Sequence, residues 1–260
     1  MIFLVGGNGL VGSAFKKYFK QNKIKFTNIQ RYNQNSFKNK SCEILIYANG
    51  NPNKTLAEKD PQLDFNKTVT SIIFYLNNIK FKKFIFFSSV DVYANTNKRN
   101  FTSEKVLVKS ESVYGINKII SETYVKKFAK NYLIFRLGGL VGDKLKKNPI
   151  YDIFNRNKIF TSVRSEMNFI HTDFLPKIIF KIIEKRIKNE IFNLASLDSI
   201  KISKILKLYS IKKIQLFKSY KNKIQIYKIN TKKISKYVKL PKTGTSIKKY
   251  FESINKKQKT

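Results

Sequence analysis

Three glycines near the N-terminus recur at intervals of three residues, between a short apolar run and a helical pattern. The run covers residues 2–5, the glycines are Gly6, Gly9 and Gly12, and the helical pattern covers residues 10–20. In dinucleotide-binding turns the first glycine permits a tight bend, the second lets a pyrophosphate approach the backbone, and the third lets helix and strand pack closely. Because the chain has only ten glycines in 260 residues, this spacing predicts a dinucleotide site.

Apolar runs alternate with helical patterns through the first half of the chain and again near residue 190. The predicted strands cover residues 2–5, 24–30, 43–48, 84–87, 132–137 and 191–195, and the predicted helices cover 10–20, 65–79, 114–130 and 175–187. Such alternation implies right-handed crossovers between parallel strands. We therefore expect an α/β fold with a doubly wound parallel sheet, the Rossmann fold.

The sequence pattern changes from about residue 197. Short lysine-rich segments follow at residues 200–209, 213–217 and 224–229, and a helix is predicted near 245–254. Regular apolar spacing in these segments argues against a disordered tail. We expect a small C-terminal α/β lobe that binds substrate. The predicted division gives residues 1–137 and 169–196 to the dinucleotide-binding core, and residues 138–168 and 197–260 to the lobe.

The chain has a formal net charge of +37, and six of its 53 basic residues are arginine. So strong a positive field attracts phosphate groups, those of nucleic acids included. The lysines are nevertheless spread from end to end without an arginine-rich patch, and the abundance of Lys, Asn and Ile indicates bias in the coding sequence. An RNA-binding or regulatory protein with little catalysis is therefore the alternative from another class.

A single cysteine, Cys42, and a single histidine, His171, limit the chemistry of the chain. One cysteine excludes an internal disulfide, and the absence of a Cys/His cluster argues against a zinc site, so we expect no metal. No apolar stretch is long enough to span a membrane, and the N-terminus lacks the features of a signal peptide. We expect a cytoplasmic protein without membrane partners.

Tyr114 and Lys118 lie four residues apart at the start of a predicted helix, which places both on one face. A neighbouring cation favours the ionised form of a phenol. The spacing alone carries little information, since Tyr209 and Lys213 share it. Its context is informative, because Ser89 ends a buried strand at the sheet edge where doubly wound folds bind ligands.

Six segments, in family order over residues 1–196, resemble the extended short-chain dehydrogenases/reductases. This family contains NAD(P)-dependent nucleotide-sugar epimerases, dehydratases and reductases. The segments are the glycine motif at 6–12, Ser-Ser-Val-Asp-Val-Tyr at 88–93, Tyr-Gly-Ile-Asn-Lys at 114–118, the stretch 136–142, Asn-Phe-Ile-His-Thr-Asp at 168–173 and Ile-Phe-Asn-Leu-Ala at 191–195.

The resemblance implies that Tyr114 is the general acid/base at a sugar hydroxyl or ketone, that Lys118 lowers its pKa and binds the nicotinamide ribose, and that Ser89 orients the reacting oxygen. A nucleotide sugar is the implied substrate, Asp91, Tyr93 and Asn168 are candidate substrate contacts, and a homodimer through the Tyr114 helix is usual in such proteins. The implied cofactor contacts are Gly6, Asn8, Gly9, Leu10, Val11, Gly12, Arg31, Ala48, Asn49, Gly50, Ser88, Tyr114 and Lys118.

Residues 28–31, at the end of the second strand, include no carboxylate. NAD-binding proteins usually carry an acidic residue there for the ribose hydroxyls, whereas an arginine suits a 2′-phosphate. Arg31 therefore favours NADP over NAD as the cofactor.

Departures from the family pattern reduce the number of reactions that the chain is expected to catalyse. The dehydratases carry an Asp-Glu pair where this chain has Val90-Asp91, and the decarboxylases carry an arginine where it has Met167. Gly139 replaces the asparagine that family members present to the substrate phosphate. The remaining set, Ser89 with the Tyr-Lys pair, is the smallest that reduces a keto group. We therefore expect reduction of a 4-keto sugar, with a nucleotide-sugar 4-epimerase as the alternative.

Overall fold

The computed structural model describes residues 1–211 and 223–257 of the chain. Its strands are β1 (Ile2–Val5), β2 (Phe26–Ile29), β3 (Ser41–Tyr47), β4 (Lys80–Ser89), β5 (Tyr132–Leu137), β6 (Gly139–Val141), β7 (Glu166–Met167), β8 (Phe169–His171), β9 (Glu190–Leu194) and β10 (Ile200–Lys201). Its α-helices are α1 (Leu10–Gln21), α2 (Lys54–Lys59), α3 (Pro61–Phe65), α4 (Ser71–Asn78), α5 (Val113–Phe128), α6 (Pro149–Phe154), α7 (Phe174–Glu184), α8 (Ile202–Leu208), α9 (Lys232–Ser235) and α10 (Thr243–Lys257).

The main sheet has six parallel strands in the order β2-β1-β3-β4-β5-β9. Strand order reverses at β1, because β2 lies on one side of it and β3 on the other. Ile2 of β1 is in register with Phe26 on one side and with Ile44 on the other. Ligands of open α/β sheets bind at such a reversal, outside the carboxyl ends of the strands. The predicted doubly wound parallel sheet is confirmed, and the glycine motif follows directly on β1.

Helices cover both faces of the sheet, because its strands are apolar on both sides. Successive side chains of a strand point to opposite faces, and Phe3 and Leu4 accordingly belong to two different apolar clusters. Leu4 packs with Phe15 of α1 and with residues of α7. Phe3 packs with Ile72 of α4 and with residues of α5. The two helical layers therefore pack α1 against one face of the sheet and α5 against the other.

The helix predicted at residues 65–79 begins earlier and contains an irregular turn. Asp60 caps its start by accepting a hydrogen bond from the backbone N–H of Leu63 (2.9 Å). Residues 66–70 form a wider π-helical turn between α3 and α4. Thr68 in this turn is buried, and its hydroxyl accepts a hydrogen bond from the backbone N–H of Asn51 (3.4 Å). Such widened turns are frequent at functional sites, and this one anchors the loop that follows β3.

Residues after β5 build a smaller second layer around the parallel pair β6–β8 and the antiparallel pair β7–β10. Ile150, Ile205 and Tyr250 share a separate apolar cluster there. Ile234 of α9 and Val238 pack in the apolar cluster that contains Leu4 of the main sheet. The division into core and lobe stays a prediction, and the segment predicted at residues 213–217 lies outside the described residues.

Over residues 1–211 and 223–257, no helix combines the length and the apolar character that crossing a membrane requires. The same residues contain no cluster of three or more His, Cys, Asp or Glu side chains that suits a metal ion.

Candidate active site

The turn after β1 is shaped by its glycines, which serve two different purposes. Gly6 has a φ of +77°, and a Cβ placed there would lie 2.8 Å from the carbonyl oxygen of Ala48. A Cβ on Gly12 would lie 2.2 Å from the carbonyl oxygen of Gly6. A Cβ on Gly9 would meet only that same oxygen, at 3.4 Å. Packing therefore requires Gly6 and Gly12, whereas the open side of Gly9 is free for a ligand.

Helix α1 begins at this turn and presents uncapped backbone groups. Its N-cap is Gly9, which has no side chain to cap the helix. The N–H groups of Leu10, Val11 and Gly12 belong to the first turn, where a helix supplies no acceptors of its own. Asn8 is exposed beside them, and its Oδ1 accepts a hydrogen bond from Lys16 Nζ (2.9 Å). Free N–H groups beside a side-chain-free backbone suit a pyrophosphate.

The loop after β3 connects the glycine turn to the catalytic candidates. The N–H of Ala48 donates to the carbonyl of Val5 (2.9 Å), and the Asn49 side chain donates to the Ser71 hydroxyl (3.1 Å). Gly50 has a φ of +129°, and a Cβ there would stand 3.5 Å from Lys118 Nζ. The loop therefore links the glycine turn, at one end of this edge, to Lys118 at the other.

Tyr114 is held against the end of β4 by close packing of α5. The Ser112 hydroxyl caps α5 by accepting from the N–H of Gly115 (3.1 Å). A Cβ on Gly115 would lie 2.4 Å from the carbonyl oxygen of Asp91, so the helix start abuts the segment after β4. Burial raises the pKa of Tyr114 to about 12, assisted by the Asp91 carboxylate and opposed by Lys54 and the Ser89 hydroxyl. The phenol is therefore protonated near neutral pH.

Lys118 lies one helical turn beyond Tyr114 and is 5 % exposed. Its ammonium donates to the carbonyl of Phe87 (3.2 Å) and stands 5.7 Å from the centroid of the Tyr114 ring. Burial lowers the pKa of Lys118 to about 8, while the carboxylates of Asp64 and Glu122 act in the opposite direction. The predicted trio of Ser89, Tyr114 and Lys118 thus comes together at one end of the sheet.

Asp91 occupies the centre of a hydrogen-bonded cluster. Its carboxylate accepts from the Ser89 hydroxyl (2.8 Å), from Lys54 Nζ (2.7 Å) and from the Tyr227 hydroxyl (3.1 Å). Sequence reasoning missed the last two residues. The available signal for Lys54 was its position at the start of α2, shortly after β3 and near the ligand-binding sheet edge. Tyr227 lies between α8 and α9, and no sequence motif marks it.

Three predicted ligand contacts have their side chains in the interior instead. The Ser88 hydroxyl donates to Glu122 (2.6 Å), and the Tyr93 hydroxyl donates to Asn193 (2.8 Å). The Asn168 amide donates to the carbonyls of Ser196 (2.7 Å) and Asp198 (2.6 Å). All three are nearly fully buried. Their polar groups are satisfied by the protein itself, so these side chains hold the framework of the site together.

Arg31 lies in the turn after β2 and is exposed. The polar groups beside it bond to one another, since Gln30 Nε2 donates to Asn28 Oδ1 (2.9 Å) and the N–H of Gln30 donates to Asn33 Oδ1 (2.7 Å). A Cβ on Gly7 would lie 2.1 Å from Asn28 Oδ1, so this group sits directly beside the glycine turn. The end of β2 therefore carries amide side chains and one exposed guanidinium, and a contact between Arg31 and a cofactor stays a prediction.

Residues 2–195 match the sequence model of the NAD dependent epimerase/dehydratase family. No curated protein sequence matches the chain. The fold is similar to that of UDP-glucose 4-epimerase from Thermotoga maritima in complex with UDP-glucose, with 16 % identity, 99 % of both chains covered and a TM-score of 0.80.

Two further solved structures share the fold. One is dTDP-4-dehydrorhamnose reductase from Bacillus anthracis in complex with NADP, with 15 % identity, 97 % of this chain and 98 % of that chain covered, and a TM-score of 0.77. The other is UDP-glucuronic acid 4-epimerase from Bacillus cereus in complex with UDP-glucuronic acid and NAD, with 17 % identity, 98 % and 99 % covered, and a TM-score of 0.76. At these identities the likeness concerns the fold.

Proposed function

This chain belongs to the NAD dependent epimerase/dehydratase family, and we propose that it reduces the 4-keto group of a nucleotide-linked sugar with NAD(P)H. The observation that carries the proposal is the meeting of Ser89, Tyr114 and Lys118 at one end of the sheet, with Lys118 beside Gly50 of the loop that packs on the glycine turn. The dinucleotide, when bound, supplies the hydride, and this chain supplies orientation and a proton.

Tyr114 acts as the acid. A keto oxygen that gains negative charge during reduction takes the phenolic proton, and Tyr114 is protonated at neutral pH because burial raises its pKa to about 12. Ser89 lies beside the phenol, and its hydroxyl, which donates to Asp91 in the structure, would turn to donate a second hydrogen bond to the same oxygen. Lys118, 5.7 Å from the Tyr114 ring, stabilises the phenolate that remains. Epimerisation begins instead with an oxidation, in which the ionised phenol accepts the proton of the sugar hydroxyl.

The residues that would hold the cofactor are those of the glycine turn, the Ala48–Asn49–Gly50 loop and Lys118. NADP is the proposed form, because the end of β2 carries Arg31 and lacks a carboxylate. The sugar and its nucleotide would lie towards the lobe, where Asp91 borders the cleft.

We also propose that the protein forms a homodimer through α5. Ile116 and Phe128 are 42 % and 52 % exposed on this helix, and the ring of Tyr124 stacks on Phe128 with centroids 5.8 Å apart. Residues 116, 120, 124 and 128 recur every four positions, so they form one apolar stripe. Light scattering coupled to size-exclusion chromatography tests this, and Phe128→Glu is expected to convert a dimer to a monomer.

The function is tested by incubating the protein with NADPH or NADH and with UDP- or dTDP-linked 4-keto-6-deoxyhexoses. The proposal predicts stoichiometric dinucleotide oxidation, and a product heavier by two hydrogens in the mass spectrum. An epimerase would interconvert 4-hydroxy sugar nucleotides without net dinucleotide consumption. Retention on nucleic acid that collapses with added salt, without any turnover, would instead support the RNA-binding alternative.

A further inference from the structure

A second lysine, Lys54, enters the catalytic cleft from the start of α2. Its ammonium lies 2.7 Å from the Asp91 carboxylate and 3.4 Å from the Tyr227 hydroxyl. It also stands 6.0 Å from the centroid of the Tyr114 ring and 5.5 Å from that of Tyr227. The side chain is 52 % exposed, so it faces an open cleft. Core and lobe thus both contribute to the surroundings of this one cation.

Asp91 and Lys54 act on Tyr114 in opposite directions. The Asp91 carboxylate disfavours the phenolate and raises the pKa of Tyr114, whereas the Lys54 ammonium lowers it. The other titratable groups facing Tyr114 or Lys54 are Asp64 on α3, Lys118 on α5, Lys147 between β6 and α6, and Tyr227 between α8 and α9. The field at the phenol is therefore a balance between charges from several elements.

The two lysines near Tyr114 have pKa values shifted in opposite directions. Burial lowers the pKa of Lys118 to about 8, so it begins to lose its charge just above neutral pH. Loss of hydration in the cleft also acts to lower the pKa of Lys54, but Asp91, Tyr227 and Tyr114 together outweigh it, and the pKa is raised. Lys54 therefore remains a cation at pH values where Lys118 is neutral.

Building on the proposed function, we propose that Lys54 is a positioning residue of the reaction. Its ammonium fixes the Asp91 carboxylate, which in turn holds the Ser89 hydroxyl, and it cancels the field of that carboxylate at Tyr114. Removing the cation leaves the carboxylate uncompensated beside the phenol. Removing the carboxylate leaves the cation unopposed, and removing both restores the balance.

The test is a double-mutant cycle in which the pKa of Tyr114 is measured in each variant. Protein containing tyrosine labelled with ¹³C at Cζ is titrated between pH 8 and 12, with the Tyr114 signal assigned from its absence in Tyr114→Phe. At pH 12 about half of the Tyr114 phenol is ionised in the wild type. Lys54→Met is expected to reduce this fraction to about one tenth, and Asp91→Asn to raise it to about nine tenths, each a shift of about one pKa unit. The double variant is expected to return close to the wild-type value, and Lys54→Arg to remain there.

Lys59→Met is the matched control, because Lys59 is exposed on the same short helix. Near-UV circular dichroism at each pH shows that the fold persists. A Tyr114 pKa that moves no further in Lys54→Met than in Lys59→Met overturns the proposal, and so does a double variant whose shift is the same as that of Asp91→Asn. The Tyr114 pKa is measured without substrate. If the variants shift this pKa as expected but the protein turns over no substrate, the result contradicts the proposed function and leaves the role of Lys54 intact.

Discussion

The carbonyl oxygen of Gly6 lies 2.2 Å from the point where a Cβ atom would stand on Gly12. Gly12→Ala must therefore push α1 away from the turn, and we expect it to destabilise the fold by about 1–3 kcal/mol, as overpacked substitutions do. Urea unfolding measures this. Gly244→Ala is the control, because a Cβ there meets nothing within 4 Å. Equal stability of the two variants would contradict the close approach.

Gly9→Ala separates ligand binding from folding at the same turn. A Cβ on Gly9 meets only the Gly6 oxygen, at 3.4 Å, so we expect unfolding in urea to be unchanged. The added methyl group would instead occupy the side that a pyrophosphate approaches. Isothermal titration with NADPH should show affinity reduced at least about tenfold, which is a loss of 1.4 kcal/mol. Unchanged affinity would remove this face of the turn from the cofactor site.

Arg136 and Glu122 form a buried ion pair beneath the site. The guanidinium donates to both carboxylate oxygens, at 2.9 Å and 2.7 Å, and both residues are at most 2 % exposed. Arg136→Met leaves the carboxylate buried without its partner, so we expect a loss of about 3–5 kcal/mol in the free energy of unfolding. Lys82→Ala, which breaks the exposed pair with Glu43 (2.8 Å), should leave unfolding unchanged. Similar losses in both variants would contradict this assignment.

His171 makes stability depend on pH. It is 1 % exposed, and burial lowers its pKa to about 4 from an ordinary value of 6.5. The unfolded chain therefore binds a proton that the folded chain resists, so stability falls as pH falls below 6.5. Between pH 6.5 and 5 the loss should be about 1.5 kcal/mol. Guanidinium unfolding at several pH values measures it, and His171→Asn should flatten the dependence over this interval. A slope that persists in His171→Asn would assign it to other groups.

The sequence predicts most of the fold because its strands are apolar and its turns are specific. The glycine spacing locates the cofactor turn, since packing at Gly6 and Gly12 tolerates no side chain. The strand predicted at residues 132–137 agrees with β5. Strand β4 covers Lys80–Ser89, whereas the sequence predicts only residues 84–87. Its start was missed because Lys80 and Lys82 are exposed and interrupt the apolar run.

The candidate site is harder to predict than the fold. Tyr93 and Asn168 are polar residues in family motifs, and sequence alone does not show that their hydrogen bonds are made inside the protein. Lys54 is one of many lysines, and only the three-dimensional structure places it against Asp91. Tyr227 is 136 residues from Asp91 in sequence, and only the folded chain brings the two together. Long-range contacts of this kind leave no periodicity in the chain.

The most direct test of the central claim is the rate of NADPH oxidation by Tyr114→Phe with a nucleotide-linked 4-keto sugar. Loss of an acid/base group predicts a fall of about 100-fold or more, with NADPH affinity unchanged in titration calorimetry. Tyr124→Phe is the control, because Tyr124 lies on the same helix and packs outside the site. Equal turnover by wild type and Tyr114→Phe would contradict the account.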